Sequence, residues 1–193
     1  MILIDDQIQE YTPEEIARWT DELPEWRRKQ VLAYKNDMGR RQSLLAYRLL
    51  CQGLREEYGI MEQPTFVYNE HGKPSLALPP TGGDGEGPHF SLSHCKEGVC
   101  CAISDRPVGI DIESAHRKIS DSVIRYSMNE GEQTLIRESD DPQRTFLRLW
   151  TQKEAVLKRL GTGIRDDMRD ILSNYAYTIE VRENERYILS VAW

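Results

Sequence analysis

The spacing of apolar side chains divides the chain into helical and strand-like segments. Residues 40–57 and 142–160 carry apolar positions at helical spacing, which predicts two amphipathic helices. Residues 89–93, 99–104 and 108–113 are short apolar runs separated by turn residues, a pattern typical of strands. Helical and strand-like stretches come in blocks rather than in strict alternation, and this order predicts an α+β protein.

Local signals indicate where some of these elements begin and end. Thr12, Pro13 and Glu15 form the start signal of a helix, because threonine can cap it and a glutamate three residues later completes a capping box. Gly161 is expected to stop the helix over 142–160. Further expected elements are helices over 24–34, 119–127 and 129–137, a strand over 65–68, a turn over 69–74, a surface loop over 79–88 and a terminal hairpin over 175–182 and 186–192.

Composition and charge narrow the class of protein. The 193 residues allow one large domain or two small lobes, and the net charge of −7 argues mildly against non-specific nucleic-acid binding. The apolar runs are far shorter than a membrane span. Residues 1–10 lack a basic region followed by an apolar core, so we expect a cytoplasmic protein without a secretory signal.

The cysteines have two readings. Cys51, Cys95, Cys100 and Cys101 do not follow the paired spacing of a zinc site, although His94 with the last three could ligate a metal. The favoured interpretation is that they are reduced, buried thiols on neighbouring strands of an intracellular protein.

Carboxylates at two places suggest phosphate chemistry. If residues 108–113 form a strand, Asp111 and Glu113 leave the same face, because side chains alternate along a strand. Glu154 and Lys158 lie one helical turn apart. Three acids can hold Mg²⁺, which takes oxygen ligands and often substrate phosphates, and the lysine would suit a phosphate. Spacing alone leaves open that the acids are solvated and that Glu154 and Lys158 form an exposed pair.

Three motifs in this order resemble a known family. Residues 90–94 read Phe-Ser-Leu-Ser-His, residues 109–113 read Gly-Ile-Asp-Ile-Glu, and residues 150–154 read Trp-Thr-Gln-Lys-Glu, followed by Lys158. Over roughly residues 25–165 the chain resembles an Sfp-type 4′-phosphopantetheinyl transferase. The resemblance implies a monomer of two similar α+β lobes related by a pseudo-twofold, with coenzyme A bound between them. We expect the lobes to span residues 1–105 and 106–193.

The resemblance also implies a reaction. The serine hydroxyl of an acyl or peptidyl carrier protein would attack the β-phosphate of coenzyme A and take its 4′-phosphopantetheine arm. Adenosine 3′,5′-bisphosphate would leave. Mg²⁺ across the pyrophosphate would stabilise the developing charge.

Individual residues receive roles by the same resemblance. Asp111, Glu113 and Glu154 would hold Mg²⁺, and Lys158 would contact a phosphate and stabilise the leaving group. Glu130 matches the position proposed to take the proton from the serine. The implied coenzyme A contacts are Ser93 and His94 near the phosphates, Lys73 near the adenosine, and Arg27, Arg28, Arg40 and Arg41 as candidates for the 3′-phosphate.

Two other functions remain as alternatives. One is a non-catalytic coenzyme A or carrier-protein binding module on the same scaffold. The other is a different Mg²⁺-dependent phosphoryl-transfer enzyme acting on nucleotides, which is disfavoured because the chain lacks a Gly-x-x-x-x-Gly-Lys-Ser/Thr loop. If a carrier protein docks, the basic and apolar residues after the acidic strand are the candidates: Arg117, Lys118, Ile119 and Val123.

Overall fold

The protein has a mixed α+β architecture, as the sequence pattern predicts. The computed structural model describes residues 1–77, 87–163, 168–173 and 177–193, which form six α-helices and eight strands. The helices are α1 (Pro13–Asp21), α2 (Glu25–Leu32), α3 (Asp37–Tyr58), α4 (Asp121–Ser127), α5 (Glu130–Glu138) and α6 (Pro142–Leu160). The strands are β1 (Ile2–Asp5), β2 (Phe66–Tyr68), β3 (Pro74–Leu76), β4 (His89–Cys95), β5 (Gly98–Ser104), β6 (Gly109–Ser114), β7 (Ile179–Glu183) and β8 (Tyr187–Ala192).

Local signals fix one end of α1 and of α6 as predicted, whereas the start of α3 differs from the prediction. Thr12 caps α1 and forms the predicted capping box with Glu15. Asn36 caps α3 by accepting the Gly39 N–H, so this helix begins three residues earlier than predicted. Gly161 ends α6 in the left-handed conformation with φ 71°, where glycine carries no steric penalty.

The strands form two antiparallel three-stranded sheets and one hairpin. The first sheet has the order β1-β5-β4, the second has the order β6-β8-β7, and β2 pairs with β3. Two of these strands, β1 and β3, were not predicted from the sequence. The predicted loop over 79–88 lies mostly outside the described residues, as do the first two residues of the predicted terminal hairpin.

Apolar clusters define the packing of helices on sheets. One face of the first sheet, including Cys101 and Ile103, packs with Leu50 of α3. Its other face, including Cys100, packs in one cluster with Ile110 of β6 and residues of β8. Because β5 contributes to both clusters, it is buried on both faces. Helix α6 packs against β6 and β8, and its Thr151 hydroxyl lies 2.8 Å from that of Ser190.

The two sheets meet at a seam between β4 and β6. Ser91 Oγ accepts a hydrogen bond from the Ile110 N–H at 3.1 Å, and Ser93 Oγ accepts one from the Ile112 N–H at 3.4 Å. Serine side chains of β4 therefore bond to the backbone of β6, although these two strands belong to different sheets. We call this contact the serine seam.

The interpretation of the cysteines as buried thiols on neighbouring strands holds for three of the four, but not for Cys51. All four are free; Cys95, Cys100 and Cys101 are buried on β4 and β5, whereas Cys51 is half-buried on α3. Burial raises the pKa of the Cys95 thiol to about 11, which keeps it protonated at neutral pH. Within the described ranges, no helix combines the length and apolarity needed to cross a membrane.

Candidate active site

The close approach of β6 to α6 builds the site. A Cβ added to Gly109 would overlap the carbonyl oxygen of Ala155 and the backbone nitrogen of Arg159. Glycine at this position therefore lets a strand and a helix touch backbone to backbone. The side chain of Asp111, two residues along β6, consequently lies within hydrogen-bonding distance of Lys158 on α6.

Asp111, Ser93 and Lys158 form a closed network. The Ser93 hydroxyl donates to Asp111 Oδ1 at 2.8 Å, and Lys158 Nζ donates to the same oxygen at 2.8 Å and to Ser93 Oγ at 2.7 Å. Asp111 is only 6% exposed. Desolvation opposes the charged form of Lys158, but the Asp111 carboxylate outweighs it and the pKa of Lys158 is raised. Lys158 is therefore a cation at neutral pH.

Glu154 is the unsatisfied member of the site. Its Oε1 atom is buried and has no hydrogen-bond partner within the part of the chain that the structure describes. Burial, and then the nearby charge of Asp111, raise the pKa of Glu154 to about 7. A carboxylate oxygen without a donor, in a negative field, is a position that a cation would stabilise.

Glu113 already has a cationic neighbour. It accepts a hydrogen bond from the Ser114 N–H at 3.0 Å and pairs with Arg117, whose guanidinium lies 5.1 Å from the centre of the Trp150 ring. The charge of Glu113 also contributes to the raised pKa of Glu154.

The charges of Asp111 and Glu113 both act on Glu154, so the three predicted metal-ligating acids lie close enough to interact. Their side chains are not arranged as a metal site, since the described residues contain no group of three or more His, Cys, Asp or Glu side chains placed to hold a metal ion. The donor set itself fits Mg²⁺: Asp111, Glu113 and Glu154 offer oxygen atoms, and Glu154 Oε1 is unpartnered.

A cleft of about 280 Å³ opens beside this cluster. Glu154 and Lys158 form one wall, and the turn containing Lys73 forms another; the remaining lining comes from His71, Gly72, Pro74, Phe90, Ser91, Leu92, Leu157, Gly161 and Gly163. Lys73 Nζ donates to the Arg159 carbonyl at 3.1 Å. Burial, and then the charge of Arg159, lower the pKa of Lys73.

His94 lies at the surface near the same charges. Partial desolvation of its imidazole, and then the positive charge of Lys158, lower its pKa, whereas Asp111 acts in the opposite direction. His94 is therefore neutral at pH 7 in this structure. Its place near the phosphates stays a prediction.

The four arginines predicted for the 3′-phosphate have partners in the N-terminal part of the chain. The Arg27 guanidinium donates to the Ser43 carbonyl at 2.6 Å, and Arg40 donates to the Tyr34 carbonyl at 2.9 Å. Arg28 lies 4.0 Å from Asp21, and Arg41 pairs with Asp37 at 2.6 Å. Their predicted role at the 3′-phosphate stays a prediction.

The predicted base and docking residues lie around α4 and α5. Glu130 is exposed at the first position of α5. Lys118 is also exposed, but Arg117 is bound to Glu113. Ile119 and Val123 are half-buried and pack against the cluster that contains Met128, Ile136, Phe146, Leu147 and Ile188.

Two buried side chains next to site residues were not singled out from the sequence. Ser91 shares the serine seam with Ser93, and its i, i+2 spacing from Ser93 in a strand was the available signal. Lys153 is completely buried beside Glu154, and nothing in the helical pattern distinguishes it from a solvated lysine.

Comparison with known proteins shows which proteins this chain is similar to. Residues 107–189 match the family model of the 4′-phosphopantetheinyl transferase superfamily. The chain is 35% identical to the 4′-phosphopantetheinyl transferase psf-1 of Bacillus pumilus over 64% of this chain and 52% of the relative. It is 29% identical to the 4′-phosphopantetheinyl transferase gsp of Aneurinibacillus migulanus over 83% of this chain and 66% of the relative. It is 33% identical to the 4′-phosphopantetheinyl transferase Sfp of Bacillus subtilis over 51% of this chain and 42% of the relative.

The matched part thus covers between 42% and 66% of the lengths of these relatives. The family-model match includes β6, α6 and the first half of β8, and so contains Asp111, Glu154 and Lys158. The comparisons confirm the resemblance of this chain to the Sfp-type 4′-phosphopantetheinyl transferases.

Proposed function

We propose that the protein transfers the 4′-phosphopantetheine arm of coenzyme A to a serine of an acyl or peptidyl carrier protein. The observation that carries the proposal is the cluster of Asp111, Glu154 and Lys158 beside the cleft, in the segment that matches the transferase family. We also propose that residues 1–105 and 106–193 act as two lobes of one monomeric unit, with coenzyme A held between them.

In the proposed reaction the carrier serine oxygen forms a bond to the β-phosphorus of coenzyme A. The bond from that phosphorus to the bridging oxygen breaks, and adenosine 3′,5′-bisphosphate leaves with the electron pair. Glu130 takes the hydroxyl proton. Glutamate is one of the side chains that act as general bases in enzymes, and such bases typically contribute about 10²–10⁴-fold to rate.

The residues of the cluster would act on the charged oxygens. Lys158 carries a positive charge and lines the cleft, so it can turn from Asp111 to a pyrophosphate oxygen and stabilise the leaving group. Asp111, Glu113 and Glu154 would hold Mg²⁺. When bound, this ion would neutralise the developing charge on the pyrophosphate and align the displacement.

Intact mass spectrometry tests the proposed transfer. The protein is incubated with coenzyme A, Mg²⁺ and several apo carrier proteins, and we expect one carrier to gain the mass of one phosphopantetheine group. Glu154→Ala should abolish the gain while the fold is retained, and Glu14→Ala on the exposed first turn of α1 should leave it unchanged. Failure of the wild type on every carrier would contradict the proposal, and binding of coenzyme A without transfer would favour the binding module.

A further inference from the structure

Lys153 is a buried cation that the proposed chemistry does not use. Its side chain is 0% exposed, and its Nζ donates to the carbonyl oxygens of Ser127, Met168 and Arg169 at 2.9, 3.0 and 2.6 Å. It also donates to Glu132 Oε2 at 2.6 Å. An ammonium group has three protons, so four oxygens saturate it completely. The ammonium thus joins the end of α4, the first turn of α5 and the turn that starts at Met168.

Burying the ammonium group of Lys153 costs free energy, because the charge loses its hydration. Burial lowers the pKa of Lys153, and Glu132 only partly opposes the effect. Replacing a buried ion pair as a whole by packed apolar side chains is often neutral or stabilising. A need for precise placement of the attached segments explains the lysine better than stability does.

The segment that Lys153 holds is the start of α5. Glu132 Oε2, which accepts from Lys153, also accepts the Asn129 N–H at 2.9 Å, and Asn129 Oδ1 accepts the Glu132 N–H at 2.9 Å. The lysine is therefore bonded directly to the capping box of α5. Glu130 lies inside this box, as the first residue of the helix.

We propose that Lys153 is a positioning residue that fixes the first turn of α5, and with it Glu130, against α6. The inference rests on the proposed function, because Glu130 is the proposed base. Lys153 and Glu154 are neighbours on α6, so one helix holds both the base-bearing turn and the acidic cluster.

Kinetics per binding-competent molecule test the proposal. Lys153→Met removes the ammonium, and Lys29→Met is the matched control, since Lys29 is exposed and pairs with Glu25 on the surface of α2. Calorimetry with coenzyme A counts the competent sites, so that a folding defect does not count as a catalytic one. We expect Lys153→Met to lower kcat per site by about tenfold or more. The KM for coenzyme A should change by less than about twofold, because the lysine does not line the cleft.

Two further variants keep the test decisive. If Lys153→Met fails to fold, Glu132→Gln retains an acceptor for the capping box, removes the charge that pairs with the lysine, and should also lower kcat per site. In a Glu130→Gln background, Lys153→Met should cost little more, because both changes disable the same base. Independent, multiplying effects, or an unchanged kcat per site in both Lys153→Met and Glu132→Gln, would overturn the proposal.

Hydrogen exchange separates this inference from the proposed function. If the wild type transfers to no carrier, the function fails, but the positioning can still be measured. Lys153→Met or Glu132→Gln should accelerate amide exchange at the start of α5 and leave the Ile110 and Ile112 amides of the serine seam protected. Equal acceleration at both places, or none at either, would contradict a local positioning role.

Discussion

At the scale of single residues, the hydrogen bonds of the Ser93 hydroxyl leave its proton only one acceptor. The Ser93 hydroxyl has one proton, and it accepts from the Ile112 N–H and from Lys158 Nζ. Its proton is therefore committed to Asp111, at 2.8 Å. The sequence predicts that Asp111 and Glu113 share a face, because this follows from strand alternation. It does not predict the bond between Asp111 and Lys158, which depends on how β6 and α6 pack.

Serine variants should separate the structural from the functional part of this network. Ser91→Ala leaves the buried Ile110 N–H without its acceptor, so it should cost about 1–3 kcal/mol of unfolding free energy. Ser93→Ala should cost more, because its hydroxyl makes further hydrogen bonds besides the one in the serine seam. Only Ser93 also contacts Asp111 and Lys158. Ser93→Ala should therefore slow transfer several-fold more than Ser91→Ala. Urea unfolding and intact-mass rates measure the two effects, and equal rate losses would argue against the network.

Glu154 should make stability depend on pH. Its folded pKa of about 7 exceeds the ordinary value of 4.5, so the native state keeps the proton longer than the unfolded state does. The contribution of Glu154 to stability is greatest below pH 4.5 and falls as the pH rises to about 7. The loss should amount to at most about 3 kcal/mol.

Urea unfolding of the wild type and Glu154→Gln across this pH range measures the contribution, because the difference between the two cancels the other titrating groups. The wild type should lose stability relative to the variant as the pH rises. A constant difference would mean that Glu154 is not desolvated in the folded protein.

At the scale of elements, the sequence predicts helix ends that depend on neighbouring residues better than it predicts strands that depend on a distant partner. The capping box at Thr12 and the glycine stop at Gly161 involve neighbouring residues only, and α1 and α6 begin or end there. Strand β1 was missed because four residues give a weak pattern, and its partner β5 lies about a hundred residues away. The buried state of Lys153 was missed for the same reason, since its acceptors come from other segments.

The contact between β6 and α6 should be intolerant of any side chain at Gly109. Gly109→Ala inserts a methyl group against the backbone of α6. Such overpacking typically costs about 1–3 kcal/mol, and backbone cannot move aside as a flexible side chain does. Gly131→Ala in α5 is the control, because its nearest neighbour would be 3.5 Å away and alanine favours the helix. Urea unfolding should show a loss for Gly109→Ala alone; equal stability of the two variants would contradict the close contact.

At the scale of the whole molecule, two sheets meet at the serine seam. Residues of β4 and α6 line one cleft, and β6 lies behind it in contact with both elements. The order of motifs predicted this convergence through a family resemblance rather than through physics. The N-terminal arginines show the difference: no local pattern distinguishes a guanidinium that binds phosphate from one that holds helices together, and Arg27 binds the Ser43 carbonyl of α3.

The central claim is that Asp111, Glu113 and Glu154 hold Mg²⁺ beside the pyrophosphate of bound coenzyme A. Measuring the binding of Mg²⁺ tests this claim most directly. Calorimetry of Mg²⁺ with the coenzyme A-saturated protein, in buffers of different ionisation enthalpy, gives both affinity and protons released. Near pH 7 the wild type should release a substantial fraction of a proton, because Glu154 must ionise to bind the ion. Glu154→Gln should release fewer protons and bind about tenfold more weakly or worse. Equal affinity and equal proton release in the two proteins would contradict the account.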